Sequence, residues 1–330
     1  MTVSKRRARI TGTGSYVPPD RMTNADFERL VDTSDEWITT RTGIKERRIA
    51  KNGMTTSDMA VKACKNAMEM AGCSHDEIEA LITGTVTPDY KLPSNSCVIQ
   101  EKMGLPQAVG FDIAAACTGF VSGLSIAQAF VESGKYRKIL VVGVEKLSSF
   151  TNYEDRSTCV LFGDAAGAAV VEPCETGAGV ISTFLRSDGN YRPLLWSEIG
   201  GCKYPYVPGE DPSGRDKILM NGSDLFKVAV REMGNAAVKV IEDAGLTSSD
   251  IALFIPHQAN IRIIKAMAKR LKMDMSKVVH NIDRYGNTSS ASIPLALDEA
   301  NRAGRIKPGD HIVMVAFGGG LIWGSALLKW

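Results

Sequence analysis

A large excess of charge of one sign is missing from this 330-residue chain. Its 39 lysines and arginines nearly balance 37 aspartates and glutamates, so the formal net charge is only +2. A protein whose main partner is nucleic acid usually carries a strong basic excess. We therefore expect no nucleic-acid partner and look for function in local clusters of residues.

Paired cysteines are missing as well. The chain has seven cysteines, an odd number, and none belongs to a Cys-x-x-Cys pair. This pattern excludes a disulfide framework and a zinc ribbon, so we expect no metal site. Free thiols favour a reducing, cytoplasmic location. The seven are Cys64, Cys73, Cys97, Cys117, Cys159, Cys174 and Cys202.

Long apolar runs are also missing. The longest uncharged stretch, residues 312–328, just reaches the roughly 17 residues of a short membrane span. Four glycines interrupt it, and its parts IVMVAF and LIWGSALL are typical of buried strands. The basic start MTVSKRRARI has no apolar stretch behind it, so we expect neither a secretory signal nor a membrane partner.

What the chain does contain is an alternation of short apolar runs with helical patterns, which predicts an α/β fold. Residues 71–85 resemble residues 244–258 at an offset of 173, and a second match follows at an offset of 170. That match pairs Cys117 with Asn287 and Ser122 with Ser292. We expect two similar halves, residues 1–175 and 176–330. The alternative is chance likeness, since helix–glycine–strand units are common.

Cys117 is the cysteine most suited to chemistry. It follows an apolar strand and precedes a segment whose apolar residues recur at helical spacing, which places it at a helix N-terminus. Exposed N–H groups and the helix dipole would stabilise a thiolate there, making Cys117 a candidate covalent nucleophile. The alternative is a small buried residue, the commoner role of a cysteine.

Four further candidates lie near strand ends. His257 ends the apolar run IALFIP, and Asn260 is a candidate to orient it. Asn287 precedes another helix, where it is either functional or a turn residue. Gly320 belongs to a glycine run whose N–H groups, with that of Cys117, would form an oxyanion hole. The alternative for this run is a tight turn between two strands.

With these residues in view, the sequence resembles the β-ketoacyl-acyl-carrier-protein synthase III family of the thiolase-like superfamily. The resemblance implies a five-layered αβαβα sandwich of two pseudo-symmetric halves, the first carrying Cys117 and the second His257 and Asn287. It also implies a homodimer. The resemblance is carried by DTSDEWITTRTGIKERR (32–48), DIAAACTGF (112–120), EDRSTCVLFGDAAGA (154–168), PHQANIRII (256–264), GNTSSASIP (286–294) and AFGGGLIWGSAL (316–327).

The family resemblance also implies an activity, the initiating condensation of type II fatty-acid synthesis. Cys117 would be acylated by acyl-CoA, either acetyl-CoA or another short primer, with no cofactor or metal. Malonyl-acyl-carrier-protein would then lose CO2 and attack the acyl group, with His257 and Asn287 stabilising the developing charge. Elongating relatives have two histidines in these positions. Chalcone-synthase-like enzymes share the Cys-His-Asn triad but not the surrounding motifs.

Coenzyme A and carrier-protein residues follow from the same resemblance. Trp37 and Arg156 would sandwich the adenine, Arg41 would hold the nucleotide, and Asn260 would complete the coenzyme A set. Thr33 and Glu36 form a candidate capping box for the helix that carries Trp37. The acidic carrier protein would dock on a basic stripe, for which the alternative is a merely solvated face. The stripe consists of Lys227, Arg262, Lys265, Lys269 and Arg270.

The acyl pocket is where the chain departs from the family pattern. Leu92, contributed across the dimer, stands where Phe is common, and Leu147 is a second candidate for the pocket wall. Ser223 stands where Asn is common. Two alternatives to a priming enzyme remain: an acyltransferase of specialised metabolism that uses another acceptor, and a catalytically silent acyl-carrier or coenzyme A-binding protein. The presence of Cys117 disfavours the silent protein, and the full set of His257, Asn287 and basic stripe disfavours the transferase.

Overall fold

The computed structural model describes residues 6–330, so the start of the basic N-terminal segment lies outside the described residues. Apolar runs become strands and the amphipathic segments between them become helices. The strands are β1 (Arg7–Tyr16), β2 (Arg21–Thr23), β3 (Glu46–Arg48), β4 (Ala80–Gly84), β5 (Val109–Ile113), β6 (Ile139–Lys146), β7 (Asp164–Cys174), β8 (Gly179–Ser187), β9 (Leu195–Trp196), β10 (Leu219–Met220), β11 (Ile251–Pro256), β12 (His311–Gly318) and β13 (Ile322–Lys329). The helices are α1 (Asn24–Phe27), α2 (Asp35–Thr42), α3 (Thr56–Ala71), α4 (Asn95–Met103), α5 (Gly119–Glu132), α6 (Arg156–Cys159), α7 (Gly222–Asp243), α8 (Ile261–Arg270), α9 (Ile282–Tyr285) and α10 (Ser292–Arg302).

Two mixed sheets form the framework. The first has the order β1-β7-β6-β4-β5, in which β4 is parallel to β5 and β6 while β7 is antiparallel to β6 and β1. The second has the order β11-β12-β13-β8, in which only β11 and β12 are parallel. Two short pairs, β2–β3 and β9–β10, lie outside these sheets.

Five layers result from the packing of helices on these sheets. Helices α5 and α10 lie between the two sheets, α3 and α4 cover the outer face of the first, and α7 and α8 cover the outer face of the second. The predicted αβαβα sandwich is therefore confirmed. The central helix α5 is apolar around much of its circumference, as a helix between two sheets must be.

Alternation along the strands explains why both sheet faces are buried. In β12, Ile312 and Met314 face the central helices, whereas Val313 and Val315 face α7 and α8. Because successive side chains of a strand point to opposite faces, a strand covered on both sides must be apolar at every position. The uncharged stretch 312–328 accordingly forms β12 and β13, not a membrane span. Among residues 6–330, no helix combines the length and apolar character that crossing a membrane requires.

The turns that open α5 and α10 correct the predicted repeat register. Ala116 (φ 44°) and Ser289 (φ 48°) both have left-handed backbone, and each is followed by a short 3-10 turn and then the helix. The starts of α5 and α10 are thus 173 residues apart, whereas the glycines that follow them, Gly134 and Gly304, keep the offset of 170. Helix α5 is one turn longer, so Cys117 is the structural counterpart of Ser290, not of Asn287.

Candidate active site

Cys117 lies in the short 3-10 turn between β5 and α5. The preceding residue, Ala116, has a φ of 44°, a conformation that is uncommon for a residue other than glycine and that is often retained at functional sites. The end of β12 presses on this turn, because a Cβ atom on Gly318 would come within 2.6 Å of the Cys117 nitrogen. The fold therefore holds the thiol at a fixed place between the two sheets.

The protonation state of Cys117 differs from the expectation of a stabilised thiolate. Burial raises the pKa of the thiol to about 12, and the nearby Glu145 carboxylate acts in the same direction. A hydrogen bond with the Ser289 hydroxyl acts the other way, toward a lower pKa. At neutral pH the resting thiol is thus protonated, and the nucleophile has to be generated by removing a proton.

His257 is buried and neutral. Its ring nitrogen Nδ1 lies 2.7 Å from the Ser292 hydroxyl, which also accepts a hydrogen bond from the Gln258 backbone N–H at 3.4 Å. Burial lowers the pKa of His257 to about 3. The Ser292 hydroxyl already accepts from the Gln258 N–H, so we assign its own proton to the bond with Nδ1 and the imidazole proton to Nε2.

Asn287 is held by the turn that follows it. Its side-chain oxygen Oδ1 accepts a hydrogen bond from the Ser289 backbone N–H at 2.9 Å. Its backbone N–H donates to the Leu161 carbonyl at 2.8 Å. Since the oxygen is occupied, the amide group NH2 is the end of this side chain available as a donor.

Two cavities meet at Cys117. The larger, about 720 Å³, contains Cys117, His257 and Asn287 in its wall and extends to the surface at Trp37 and Arg41. The smaller, about 360 Å³, lies beyond Cys117. Its apolar and glycine wall residues are Val86, Ala114, Ala116, Leu147, Phe150, Phe162, Leu195, Trp196, Ile218, Gly319 and Gly320. A group attached to the thiol would therefore extend into an apolar pocket, while its carrier would fill the larger cavity.

The mouth of the larger cavity contains the predicted coenzyme A residues. The Trp37 ring contacts Arg41, with a ring centroid to Cζ distance of 4.8 Å, and Arg156, at 4.4 Å. A purine between Trp37 and Arg156 needs about 7 Å, twice a van der Waals contact distance. The space between Trp37 and Arg156 is therefore too narrow for an adenine ring in this structure. Arg156 also lies 3.7 Å from the Asp32 carboxylate.

Two local details of this mouth correct the sequence analysis. The N-cap of α2 is Ser34, whose hydroxyl accepts a hydrogen bond from the Trp37 N–H at 3.1 Å, and not Thr33. Asn260 does not orient His257, a role that Ser292 takes. Instead Asn260 caps α8 through the Arg262 N–H at 2.8 Å and donates to the Arg41 carbonyl at 3.0 Å, so it joins α2 to α8 beside the cavity.

The basic stripe is split between α7 and α8. Arg262, Lys265 and Lys269 are exposed on α8, and Arg262 also lies in the cavity wall. Arg270 is exposed, but its guanidinium donates to the Asn235 side chain on α7. Lys227 on α7 lies in the cavity wall and pairs with Asp224 at 3.0 Å.

The two acyl-pocket candidates separate in space. Leu147 is buried and lies in the wall of the smaller cavity. Leu92 is 87% exposed and lies in the wall of neither cavity. Ser223 lies in the wall of the larger cavity at the start of α7. Of the two acyl-pocket candidates, then, Leu147 is the one that borders the cavity next to the thiol within one chain.

Three side chains around the triad were missed by the sequence analysis: Ser289, Ser292 and Glu145. Glu145 is fully buried at the end of β6, and the two serines belong to the segment GNTSSASIP. A run of hydroxyl residues before an apolar helix was the available signal. No three side chains of His, Cys, Asp or Glu in residues 6–330 gather where they would hold a metal ion.

Comparison with known proteins assigns the family. The model of 3-oxoacyl-[acyl-carrier-protein] synthase III matches residues 111–189, and the model of its C-terminal region matches residues 241–330. The chain is 51% identical over 324 residues to the beta-ketoacyl-[acyl-carrier-protein] synthase III of Clostridioides difficile strain 630, which covers 98% of each protein.

Solved structures agree with this assignment. The 3-oxoacyl-[acyl-carrier-protein] synthase III of Aquifex aeolicus VF5 is 47% identical with a TM-score of 0.91, covering 98% of this chain and 100% of that one. The priming beta-ketosynthase of the R1128 polyketide pathway is 38% identical with a TM-score of 0.91, covering 100% and 98%. Fold and matches define a thiolase-like condensing enzyme, an acyltransferase. The chain belongs to the β-ketoacyl-[acyl-carrier-protein] synthase III family and is the condensing enzyme that initiates type II fatty-acid synthesis.

Proposed function

We propose that this enzyme transfers an acyl group from acyl-CoA to Cys117 and condenses it with malonyl-acyl-carrier-protein. The observation that carries the proposal is the position of Cys117 between a polar-ended cavity open to the surface and an apolar cavity beyond it. The acyl chain occupies the apolar cavity, and coenzyme A or the carrier-protein arm occupies the larger one in turn. The reaction requires no metal and no cofactor.

In the first half-reaction the Cys117 sulfur attacks the acyl-CoA carbonyl carbon, and the thiol of coenzyme A leaves. The oxyanion of the tetrahedral intermediate accepts hydrogen bonds from the backbone N–H groups of Cys117 and Gly320. Gly320 lies in the same cavity wall as Cys117, which supports this role. A sulfur nucleophile suits the step because the thioester it forms is itself reactive.

In the second half-reaction the malonyl carboxylate leaves as CO2, and negative charge develops on the malonyl thioester oxygen. The His257 Nε2–H and the Asn287 amide donate hydrogen bonds to that oxygen. The tautomer assigned to neutral His257, with Nδ1 accepting from Ser292 and the proton on Nε2, supports this role. The resulting carbanion attacks the acyl carbonyl, Cys117 leaves, and 3-oxoacyl-carrier-protein is released.

Recognition of the substrates involves both sides of the larger cavity. Trp37, Arg41 and Arg156 bind the nucleotide of coenzyme A, and Asn260 fixes the wall beside them. Because Arg156 lies on Trp37, it has to move away for an adenine to stack there. The basic stripe on α7 and α8 receives the acidic carrier protein, since its exposed cations adjoin the cavity mouth.

A homodimer completes the acyl pocket in this proposal. The loop after β4 exposes apolar side chains, with Tyr90 60% and Leu92 87% exposed, and β5 is an edge strand of its sheet. Unpaired edges and apolar loops of this kind favour association with a second copy. Leu92 of each chain would then border the partner's pocket. We also propose a cytoplasmic location, since all seven cysteines are free.

The division into halves at residues 175 and 176 is likewise a proposal. Residues 175–178 connect β7, the last strand of the first sheet along the chain, to β8, the first strand of the second. The matching order of strands in the two sheets supports a duplicated unit. An isolated parallel bridge between Phe254 and Val278 lies beside β11, where the first sheet has its fifth strand beside β4.

The test is a series of acyl-CoA thioesters followed by intact mass measurement and then by malonyl-acyl-carrier-protein. We expect one acyl adduct on the wild-type enzyme and none on Cys117→Ala. The control variant Cys202→Ala, which removes an exposed cysteine, should still form the adduct. The adduct should then be consumed as CO2 and 3-oxoacyl-carrier-protein form. No adduct with any primer would overturn the proposal, and an adduct that never condenses would indicate an acyltransferase with another acceptor.

A further inference from the structure

Arg47 is a buried cation that the reaction described above does not use. It lies in β3, and its side chain is fully shielded from solvent. Its guanidinium donates hydrogen bonds to neutral groups, the Val160 carbonyl and the Asn24 side chain, and its Cζ atom lies 4.5 Å from the centroid of the Phe27 ring. Burial lowers the pKa of Arg47 to about 10, so the group stays charged at neutral pH. A buried charge with neutral partners is costly to keep, so its presence calls for a reason.

One side of the Arg47 guanidinium holds the end of α6. Nε donates to the Val160 carbonyl at 2.9 Å, and Nη2 donates to the same oxygen. Val160 is the C-cap of α6, where backbone carbonyls lack partners within the helix. Arg156 is the first residue of α6, and Val160 itself lies in the wall of the larger cavity. Arg47 thus fixes the backbone of the helix that carries Arg156.

The other side of the guanidinium reaches α2 through Asn24. Nη1 donates to the Asn24 Oδ1 at 2.6 Å. Because Oδ1 is an acceptor for Arg47, the Asn24 amide directs its N–H groups the other way, to the Asp35 carboxylate at 2.7 Å and the Ile44 carbonyl at 2.8 Å. Asp35 is the first residue of α2, and Ile44 lies just beyond its end. Asn24 therefore holds both ends of the helix that carries Trp37.

The two helices meet at the mouth of the larger cavity. Trp37 on α2 and Ser157 on α6 both lie in the cavity wall. The Arg156 side chain contacts the Trp37 ring at 4.4 Å and lies 3.7 Å from the exposed Asp32 carboxylate, and its Nε has no hydrogen-bond partner within residues 6–330. A side chain held in this way can turn aside for an adenine while the backbones of α2 and α6 keep their places.

We propose that Arg47 is a positioning residue for the nucleotide of coenzyme A, which holds α2 and α6 at the spacing that the adenine needs once the Arg156 side chain has turned aside. Arg47 touches neither the substrate nor the reacting atoms and acts through Val160 and Asn24. The inference rests on the proposed binding of the nucleotide by Trp37, Arg41 and Arg156. The carrier-protein arm has no adenine, so Arg47 serves the acyl-CoA step and not the malonyl step.

The experiment compares acetyl-CoA with acetyl-pantetheine, a thioester with the same acyl group and no nucleotide. Acylation of Cys117 is measured by rapid quench and intact mass at a series of thioester concentrations, which gives a maximal rate and a half-saturating concentration. The enzymes are the wild type, Arg47→Lys, Trp37→Ala and the double variant. Arg47→Lys keeps the charge but replaces the planar fork, which reaches Val160 and Asn24 in different directions, with a single ammonium group.

We expect Arg47→Lys to raise the half-saturating concentration of acetyl-CoA about 5- to 20-fold with the maximal rate within about twofold, because it weakens binding that the ground state and the transition state share. Both quantities for acetyl-pantetheine, and KM for malonyl-acyl-carrier-protein, should change by less than about twofold. Adding Arg47→Lys to Trp37→Ala should cost less than about twofold more on acetyl-CoA, since residues that act through one contact are not additive.

A second pair of variants tests the same link at the surface of α2. Asp35→Ala removes the carboxylate that Asn24 contacts, and Glu36→Ala removes its neighbour. Both residues are exposed and lie in the first turn of α2, so each variant loses one negative charge at the same place and their difference reports the contact. We expect the half-saturating concentration of acetyl-CoA to be about threefold higher in Asp35→Ala than in Glu36→Ala, with equal values for acetyl-pantetheine.

Equal losses on acetyl-CoA and acetyl-pantetheine in Arg47→Lys would overturn the proposal, because a merely structural residue would impair both. Equal half-saturating concentrations of acetyl-CoA in Asp35→Ala and Glu36→Ala would overturn it as well, and this pair decides the question even if Arg47→Lys fails to fold. A wild-type enzyme that uses the two thioesters equally well would refute the nucleotide site itself and the role of Arg47 with it.

Discussion

The turns that open α5 and α10 have the same backbone but different chemistry. Each begins with a residue of left-handed backbone, Ala116 or Ser289, and continues through a 3-10 turn into a helix buried between the sheets. The first turn carries the thiol Cys117. The second turn carries serine hydroxyl groups that lie against the Glu145 carboxyl group, and Asn287 precedes this turn. In the proposed reaction the first turn would supply the covalent bond, and the second turn with Asn287 would stabilise the developing charge.

The largest expected effects come from removing the Cys117 thiol and the Asn287 amide one at a time. We expect Cys117→Ala to abolish acylation, a loss of at least about 10⁴-fold, because no other group can form the thioester. Asn287→Ala should still be acylated but should condense about 10²- to 10³-fold more slowly, since it loses a donor to the developing charge. Single-turnover acylation and CO2 release measure the two steps separately. If Asn287→Ala lost acylation and condensation equally, the division of labour would be refuted.

A smaller change tests the contact between the halves. In Gly318→Ala the new Cβ atom would lie 2.6 Å from the Cys117 nitrogen and 3.2 Å from its Cβ. We expect the Cys117 turn to shift, with acylation slowed by about 10- to 100-fold and the protein destabilised by about 1–3 kcal/mol. Acylation kinetics and denaturant unfolding measure these effects. Gly189→Ala is the control, because nothing lies within 4 Å of its added Cβ. Normal acylation in Gly318→Ala would show that the turn tolerates displacement.

The sequence predicted the fold and the placing of Cys117, His257 and Asn287 at strand and helix ends better than it predicted the contacts around them. Apolar runs such as 312–328 and the junctions at Cys117 and His257 are local signals, and they identified strands and strand ends correctly. The contacts that tune the site are not local. Ser289 and Glu145 are 144 residues apart, and His257 and Ser292 are 35 apart. Only folding brings such pairs together, so no spacing rule reveals them.

Burial explains one of the remaining errors of prediction, and the other two come from local features of the sequence. The helix start at Cys117 was located correctly, but its effect on the thiol was inferred without the burial that dominates the pKa. Asn260 was assigned to His257 from closeness in sequence, whereas its side chain caps α8 and the Ser292 hydroxyl lies next to the ring. The cap of α2 was misplaced by one residue, because Thr33 and Ser34 fit the cap preference about equally well.

A third prediction concerns His257, the other proposed hydrogen-bond donor to the developing charge. Ser292→Ala removes the partner of His257 Nδ1, so the imidazole loses its fixed tautomer. We expect decarboxylation to fall about tenfold while acylation changes by less than about twofold. Ser292→Thr, which keeps the hydroxyl, should restore most of the rate. An unchanged rate of CO2 release in Ser292→Ala would mean that His257 does not depend on this contact.

The two halves should also respond to pH with opposite signs. The folded-state pKa of His257 is lowered to about 3 from 6.5, so its contribution to stability is present above pH 6.5 and is lost as the pH falls toward 3. The folded-state pKa of Glu145 is raised to about 7 from 4.5, so its contribution is present below pH 4.5 and is lost as the pH rises toward 7. Each effect has a limiting slope of about 1.4 kcal/mol per pH unit. Denaturant unfolding at a series of pH values measures the free energy of unfolding. In His257→Gln it should no longer fall between pH 6.5 and pH 3, and in Glu145→Gln it should no longer fall between pH 4.5 and pH 7. Identical profiles for both variants would contradict the assignment.

The smallest expected effect lies at the surface, on the basic stripe that we propose as the docking surface for the carrier protein. Lys265→Glu with Lys269→Glu reverses two exposed charges on α8. We expect KM for malonyl-acyl-carrier-protein to rise about three- to tenfold at low salt with kcat unchanged, because the charges attract the partner but touch no reacting atom. The difference should shrink as salt screens the pair. Lys62→Glu with Lys65→Glu makes the same change on α3, across the molecule, and should leave KM unaltered. Equal effects of the two double variants would point to net charge rather than to a docking surface on α8.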